Sequence, residues 1–222
     1  EPYYPNYNTF ISAAGGVIRP MPTRPEEGYR YADREKFENL INDNTRAILI
    51  TNPGNPTGVV LNEDEMRMIA DVAKEHDLYL LSDEVYREFS YNDSEKIPCM
   101  GHFTDISENL VIIDSVSKRF SSCGARIGCV ITKNKDLQNA VLKLCQSRLS
   151  VATMDQIGAA ALYSVDKSFI SESIKEYRHR RDVCISGLRK IPGVLAEEPM
   201  GAFYLMAKLP VDNAEKFQTW LL

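Results

Sequence analysis

The stretch NLVIIDSVSKRFSSCGARIG, residues 109–128, joins an apolar segment to a polar one, and it decides how the rest of the chain is interpreted. Its first part, LVIIDS, is a continuous apolar run typical of a strand buried in a parallel sheet. Ser115, Ser117 and Lys118 follow at once, and Arg126 lies eight residues beyond the lysine. A buried strand does not need these polar groups, so the stretch predicts a functional site at a strand end.

The chain around this stretch alternates short apolar runs with helical patterns. Apolar residues at helical spacing predict helices over 33–41 and 62–76, and Asn62 with Glu65 forms a capping-box pattern at the start of the second. Such alternation predicts an α/β fold of three layers, with helices on both faces of a mostly parallel sheet and the ligand at the carboxyl ends of the strands. The predicted strands are 15–20, 46–51, 79–83, 110–115 and 127–132.

The pattern changes after residue 132. Three helices are predicted in succession, and a breaker, IPGV, separates them from two short strands around a Pro-Met-Gly turn and a helix that begins near Asn213. The helices are 135–147, 153–163 and 167–191, and the strands fall within 194–210. We therefore predict the central part of a large domain over 1–180 and the start of a smaller α+β C-terminal domain over 181–222.

Composition narrows the class of partner. The chain has 222 residues, 44% of them hydrophobic, with a formal net charge of −5 and a pI near 5.4, so nucleic acid and anionic membranes are poor partners and small molecules are favoured. No apolar run predicts a membrane span or a signal peptide. Five cysteines, with neither CxxC spacing nor a nearby histidine, predict reduced thiols, no metal site and a cytoplasmic location.

Two further strand ends carry polar residues. TNPGNPTG, which contains Asn55, follows the strand that ends at residue 51, and SDEVY places Asp83 and Tyr86 after another. Each group alone has an ordinary interpretation as a loop residue, a cap or a solvent-reaching lysine. Four groups of different chemistry at one sheet edge, however, favour a shared ligand.

The chemistry of this set matches one cofactor. A partly desolvated lysine such as Lys118 can form an imine with an aldehyde, and a carboxylate such as Asp83 can hold a proton on a ring nitrogen. Hydroxyl groups and a guanidinium group bind a phosphate dianion. Pyridoxal 5'-phosphate combines an aldehyde, a pyridine nitrogen, a phenolic oxygen and a phosphate.

The motifs NPGNPTG (52–58), SDEVY (82–86) and SVSKRFSSCGARIG (115–128) resemble those of the class I and II aminotransferases, the aspartate aminotransferase superfamily of fold type I. The resemblance implies that Lys118 forms the imine and later moves the proton, and that Asp83 pairs with the pyridinium nitrogen. It also implies that the ring of Tyr4, in EPYYPNY, stacks over the cofactor. The remaining implied roles are donation to the phenolic oxygen by Asn55 and Tyr86, and phosphate binding by Ser115, Ser117 and Arg126.

The implied activity is transfer of an amino group from aspartate or a related amino acid to a 2-keto acid such as 2-oxoglutarate, by a homodimer. A C–S β-lyase or another fold-type I enzyme shares these motifs, and a non-catalytic binding domain is a third interpretation. The family's glycine-containing phosphate loop has no counterpart before Glu1, and its substrate-carboxylate arginine has none up to Leu222. We therefore expect a fragment that is inactive alone, in which Arg148 is more simply a helix-end residue than a substrate ligand.

Overall fold

The main sheet has four strands in the order in which they occur along the chain. The computed structural model describes residues 1–92 and 97–222. β1 pairs in parallel with β2 and β2 with β3, whereas β4 runs antiparallel to β3 at the edge of the sheet. The strands are β1 (Ala47–Thr51), β2 (Tyr79–Asp83), β3 (Leu110–Ser115) and β4 (Gly128–Ile131). The predicted α/β class with a mostly parallel sheet is confirmed.

Helices form at the predicted ranges, the one at 167–191 ending at Leu188, and two more that were not predicted form at Asn6–Ala13 and Val116–Arg119. The capping box at Asn62 is present, because its side chain accepts from Glu65 N and the Glu65 carboxylate accepts from Asn62 N. Among the described helices, none is long and apolar enough to cross a membrane. The α-helices are α1 (Asn6–Ala13), α2 (Arg34–Leu40), α3 (Glu63–Glu75), α4 (Val116–Arg119), α5 (Lys135–Ser147), α6 (Thr153–Leu162), α7 (Lys167–Leu188) and α8 (Ala214–Leu221).

The core lies on one face of the sheet. Ile50, Leu80 and Ile112 alternate along their strands toward this face, where α3 contributes Met66 and Ile69, both fully buried. Burial of these side chains is the main source of stability for the sheet. The residues that alternate with them are mostly half-buried. The sequence predicts helices packed on both faces of the sheet, but in the described chain only one face is well covered.

The predicted strand at 15–20 is wrong, because these residues form no strand. Gly15 adopts a left-handed conformation with φ of 76° two residues after the end of α1, and Val17 is 90% exposed, so this side chain does not pack against the sheet. The predicted strand at 127–132 does form, as β4, but Val130 and Ile131 are about half exposed rather than buried.

The C-terminal part forms a small antiparallel pair of strands, and the segment between these strands contacts the loop that follows β1. β5 (Leu195–Ala196) pairs with β6 (Ala207–Lys208). The segment between them is anchored where Gly58 O accepts hydrogen bonds from Met200 N at 2.9 Å and Gly201 N at 3.0 Å. Gly58 has φ of 69°, and a Cβ there would lie 2.2 Å from Pro199 Cβ, so this contact requires glycine. The domain boundary at 180/181 falls inside α7 and stays a prediction.

Candidate active site

A cavity of about 240 Å³ opens at the carboxyl edge of the parallel strands. Thr51, Asp83 and Ser115 are the last residues of β1, β2 and β3, and the register places Thr51 opposite Asp83. Parallel pairing therefore brings distant parts of the sequence to one place. All eight predicted site residues line this cavity: Tyr4, Asn55, Asp83, Tyr86, Ser115, Ser117, Lys118 and Arg126.

Lys118 supplies an amine to the cavity. It lies on α4, whose first turn is capped by the Ser115 hydroxyl, which accepts from Ser117 N at 3.0 Å. The Lys118 Nζ lies 3.9 Å from Cys123 Sγ and 5.9 Å from the centroid of the Tyr86 ring. Within residues 1–92 and 97–222 it has no carboxylate partner, so an ion pair does not occupy this amine.

Asp83 supplies a half-buried carboxylate held by two donors. Tyr7 Oη donates to Oδ2 at 2.7 Å, Val85 N donates to Oδ1 at 3.3 Å, and Thr51 Oγ1 lies 2.7 Å from the same Tyr7 hydroxyl. Burial raises the pKa of Asp83 above its usual value, and the Tyr7 hydrogen bond opposes this rise. The carboxylate is fixed in orientation and would gain from a cationic partner.

Hydroxyl groups and a guanidinium group lie together beside the lysine. The Ser115 and Ser117 hydroxyl oxygens are 2.8 Å apart, and Arg126 Nη1 donates to Cys123 O at 3.0 Å. Arg126 has φ of 55°, a left-handed conformation that is uncommon outside glycine. The exposed guanidinium and the hydroxyl pair form a donor set suited to phosphate oxygens.

Tyr86 lies at the centre of a group of hydroxyl and amide side chains. Its hydroxyl lies 2.7 Å from the Tyr204 hydroxyl and accepts from Asn55 Nδ2 at 3.3 Å. Burial, followed by the contact with Tyr204, raises the pKa of Tyr86, so its hydroxyl stays protonated and can donate to an anionic oxygen.

Tyr4 lies at the rim of the cavity rather than deep within it. Its ring is half-buried and meets the Tyr7 ring edge-on, with centroids 5.4 Å apart and an interplanar angle of 88°. Its hydroxyl accepts from Asn6 Nδ2 at 2.9 Å. The stacking role of Tyr4 stays a prediction, although the ring does line the cavity.

Sequence reasoning missed Tyr7, Thr51, Cys123 and Tyr204, which also line the cavity. Thr51 ends its strand as Asp83 does, so the rule that selected Asp83 would also have selected Thr51. Tyr7 could have been found as the residue one helical turn beyond Tyr4. Tyr204 gives no such signal, because it reaches the cavity only through the docking of its segment on Gly58.

The residues present fit the cofactor that the motifs imply. One cavity offers an amine with no carboxylate partner among the described residues, a fixed carboxylate, a protonated phenol and a donor set for phosphate. Asp83 is half-buried without a cation partner in the part of the chain that the structure describes, which is unfavourable for its ionised form, and a protonated ring nitrogen would relieve this cost.

These features define an α/β protein whose ligand site is built around a lysine at a sheet edge. The model of the family described as "Aminotransferase class I and II" matches residues 1–222, and the chain belongs to this family. It is 31% identical over 226 residues to an aspartate aminotransferase of Pyrococcus horikoshii, covering 100% of this chain and 57% of that protein.

Two solved structures show the same fold with different named activities. An aromatic aminotransferase from Pyrococcus horikoshii matches with a TM-score of 0.89 and 30% identity, covering 99% of this chain and 59% of that one. An alanine aminotransferase from Pyrococcus furiosus also gives a TM-score of 0.89, with 28% identity, covering 97% of this chain and 56% of that one. The chain thus spans between half and two thirds of the length of these proteins.

Proposed function

We propose that this chain is the central part of a pyridoxal 5'-phosphate-dependent aminotransferase that transfers an amino group from an amino acid to a 2-keto acid. The observation that carries the proposal is the meeting of Lys118 Nζ and the Asp83 carboxylate in one cavity, beside donors for a phosphate. Bound pyridoxal 5'-phosphate supplies a reactive aldehyde and an electron-accepting ring.

Lys118 acts twice. Its amine would hold the cofactor through the aldehyde group, with loss of water, and when displaced by a substrate amine it would accept the substrate Cα proton and give it back on the other side of the transfer. Its position on α4, with no carboxylate partner among the described residues, supports both roles. An amine held as an ion pair would be kept in its protonated form, which can neither act as a nucleophile nor accept a proton.

Asp83 holds a proton on the ring nitrogen. The hydrogen bond from Tyr7 fixes the carboxylate, and the connected Thr51 hydroxyl fixes Tyr7 in turn. An anionic Asp83 carboxylate beside the ring nitrogen would favour its protonated form and so would strengthen the electron-accepting character that the cofactor supplies.

The other residues bind and orient the cofactor. Ser115, Ser117 and Arg126 hold the phosphate, because hydroxyl and guanidinium donors match its oxygens. Tyr86 and Asn55 donate toward the phenolic oxygen, and the ring of Tyr4 limits tilting of the cofactor.

The proposed donor is aspartate or a related amino acid, with 2-oxoglutarate as a proposed acceptor. Proteins similar to this chain are named for aspartate, alanine and aromatic substrates, so similarity supports the reaction class more strongly than one amino acid. The share of those proteins that the chain covers supports placing the substrate-carboxylate arginine outside residues 1–222.

We also propose a homodimer for the full-length protein. Large apolar side chains on α5 and α6 are strongly exposed, including Leu144 at 68% and Met154 at 78%. Monomeric proteins rarely expose such groups together, so the remaining chain or a second subunit is expected to cover them.

The test is a half-reaction screen with the full-length protein loaded with cofactor. Aspartate alone should convert the bound cofactor once, and added 2-oxoglutarate should give repeated turnover with glutamate as product. Continuous release of ammonia and pyruvate without any keto acid would identify a lyase instead. Unchanged cofactor absorbance with every amino acid would contradict the proposal and favour a binding domain.

A further inference from the structure

A second charged side chain lies directly beside Lys118. Arg119 is the next residue on α4, but it does not line the cavity; it is buried, with 9% of its surface exposed. Lys118 and Arg119 therefore leave the same helical turn toward different surroundings. Because burial of a guanidinium is costly unless it is paired, the contacts of Arg119 call for an explanation.

Arg119 reaches back from α4 to the end of β3. Its Nη2 donates to Asp114 Oδ2 at 2.7 Å, and its Nε lies 3.2 Å from Glu88 Oε1. Asp114 is itself buried; its Oδ1 accepts from Ser115 N at 2.7 Å, and its Oδ2 lies 3.3 Å from Arg87 Nη2. The ion pair thus ties the end of α4 to Asp114, two residues before the helix begins.

This tie bears on the direction of Lys118 because α4 has four residues. One helical turn has little stability of its own, so its orientation is set by contacts at its ends. Its N-terminal end is held by the Ser115 cap on Ser117 N and by the burial of Val116 in an apolar cluster with Phe120. Its last residue, Arg119, adds the charged contact with Asp114. The ion pair of Arg119 is therefore a buried charged contact at the C-terminal end of the turn, directly after Lys118.

We propose that Arg119 is a positioning residue for Lys118. Held by Asp114 and Glu88 on the packed side, it fixes the rotation of α4 so that the Lys118 amine is directed into the cavity. The inference rests on the proposed covalent role of Lys118, and it assigns to the Arg119 guanidinium a role that the cavity itself does not show.

The experiment compares two arginines that share Asp114 as a partner. Arg119→Met and Arg87→Met each remove one cation from this carboxylate, but only Arg119 lies on the helix that carries Lys118. In the full-length protein at saturating pyridoxal 5'-phosphate, the rate of covalent attachment to Lys118 is measured by borohydride reduction and peptide mass, with melting temperature recorded alongside.

We expect attachment per folded molecule to be about ten- to a hundredfold slower in Arg119→Met, since misplacement by about 1 Å can have this effect. Arg119→Lys should recover part of the rate, and Arg87→Met should attach at the wild-type rate even where its melting temperature falls. If Arg119→Met does not fold, Arg119→Lys decides, with an attachment rate below that of Arg87→Met expected.

Equal attachment rates in the Arg119 and Arg87 variants, with normal attachment in the wild type, would overturn the positioning role while leaving the proposed function intact. Wild-type protein that is reduced without any label on Lys118 would overturn both. The two failures are therefore distinguishable in one series of samples.

Discussion

The two sides of the junction between β3 and α4 differ sharply, although their residues are interleaved along the sequence. On the cavity side, Ser117 and Lys118 direct polar atoms toward open space. On the packed side, Asp114 and Arg119 are buried and paired, and Val116 packs in an apolar cluster. In this short stretch, some residues supply the polar groups of the cavity, and their immediate neighbours supply the buried contacts that stabilise the fold.

The strongest test of this difference is to truncate one side chain on the cavity side and one on the packed side. In the full-length protein, Lys118→Ala should abolish covalent cofactor attachment and slow transamination by more than the 10²- to 10⁴-fold or so that a proton-transfer group contributes. Its melting temperature without cofactor should be close to that of the wild type, because the amine makes no ion pair among the described residues.

Val116→Ala is the matched control, two positions away on the same helix. Val116 is 4% exposed, so the variant should lose about 1–3 kcal/mol of unfolding free energy through lost burial and the cavity left behind. Its attachment rate per folded molecule should stay near that of the wild type. Chemical denaturation and borohydride trapping measure the two effects, and a borohydride-stable label in Lys118→Ala would show that another amine carries the cofactor.

A second test uses Asp83. Its ionised carboxylate is needed for the proposed chemistry, but ionising it in its half-buried position lowers the stability of the folded protein. Burial raises the pKa of Asp83, so between the unfolded-state pKa, about 4, and the raised folded-state pKa, the unfolded chain ionises first. The wild-type apoprotein should therefore lose stability relative to Asp83→Asn as the pH rises from about 4 toward 7, with the difference smallest at the acidic end.

With cofactor bound, the same variant should lose most of its turnover, since a neutral amide does not keep the ring nitrogen protonated. Urea unfolding of the apoprotein at several pH values and turnover of the loaded enzyme are measured on one preparation. If Asp83 were purely structural, Asp83→Asn would be less stable than the wild type at every pH and would keep nearly normal turnover per folded molecule.

Sequence alone predicted the parallel strands because their apolar runs are short and end in polar residues. β2 and β3 were predicted with their observed bounds, Tyr79–Asp83 and Leu110–Ser115, and their ends locate Asp83 and Ser115 at one edge. Parallel pairing then brings Asn55 and Lys118 together without any further information. The bounds of the strands and the residues at their shared edge therefore follow from local patterns of two to eight residues.

What could not be predicted depends on contacts distant in sequence. The failed strand at 15–20 has the composition of a strand but no partner in the described chain, and composition does not report pairing. Tyr204 reaches Tyr86 across 118 positions because its segment docks on Gly58. The burial of Arg119 next to Lys118 was likewise invisible, since adjacent basic residues give no sign of which one is paired.

The last and smallest expected effect is protection of a thiol by bound cofactor, which tests which cysteines lie on the cavity side. Cys123 is exposed, lines the cavity, and donates to Ser117 O at 3.2 Å, whereas Cys145 and Cys184 are exposed on α5 and α7 and do not line it. Alkylation by iodoacetamide needs access to the sulfur, so bound pyridoxal 5'-phosphate should slow modification of Cys123 several-fold.

The other two thiols serve as internal controls in the same sample, and peptide mass spectrometry gives all three rates with and without cofactor. We expect the ratio of the two rates to change for Cys123 alone, because a ligand beside Lys118, 3.9 Å from this sulfur, blocks its approach. Equal slowing at all three positions would indicate a general tightening of the protein. Unchanged alkylation of Cys123 at saturating cofactor would show that the ligand binds away from α4, and this result would contradict the proposed site.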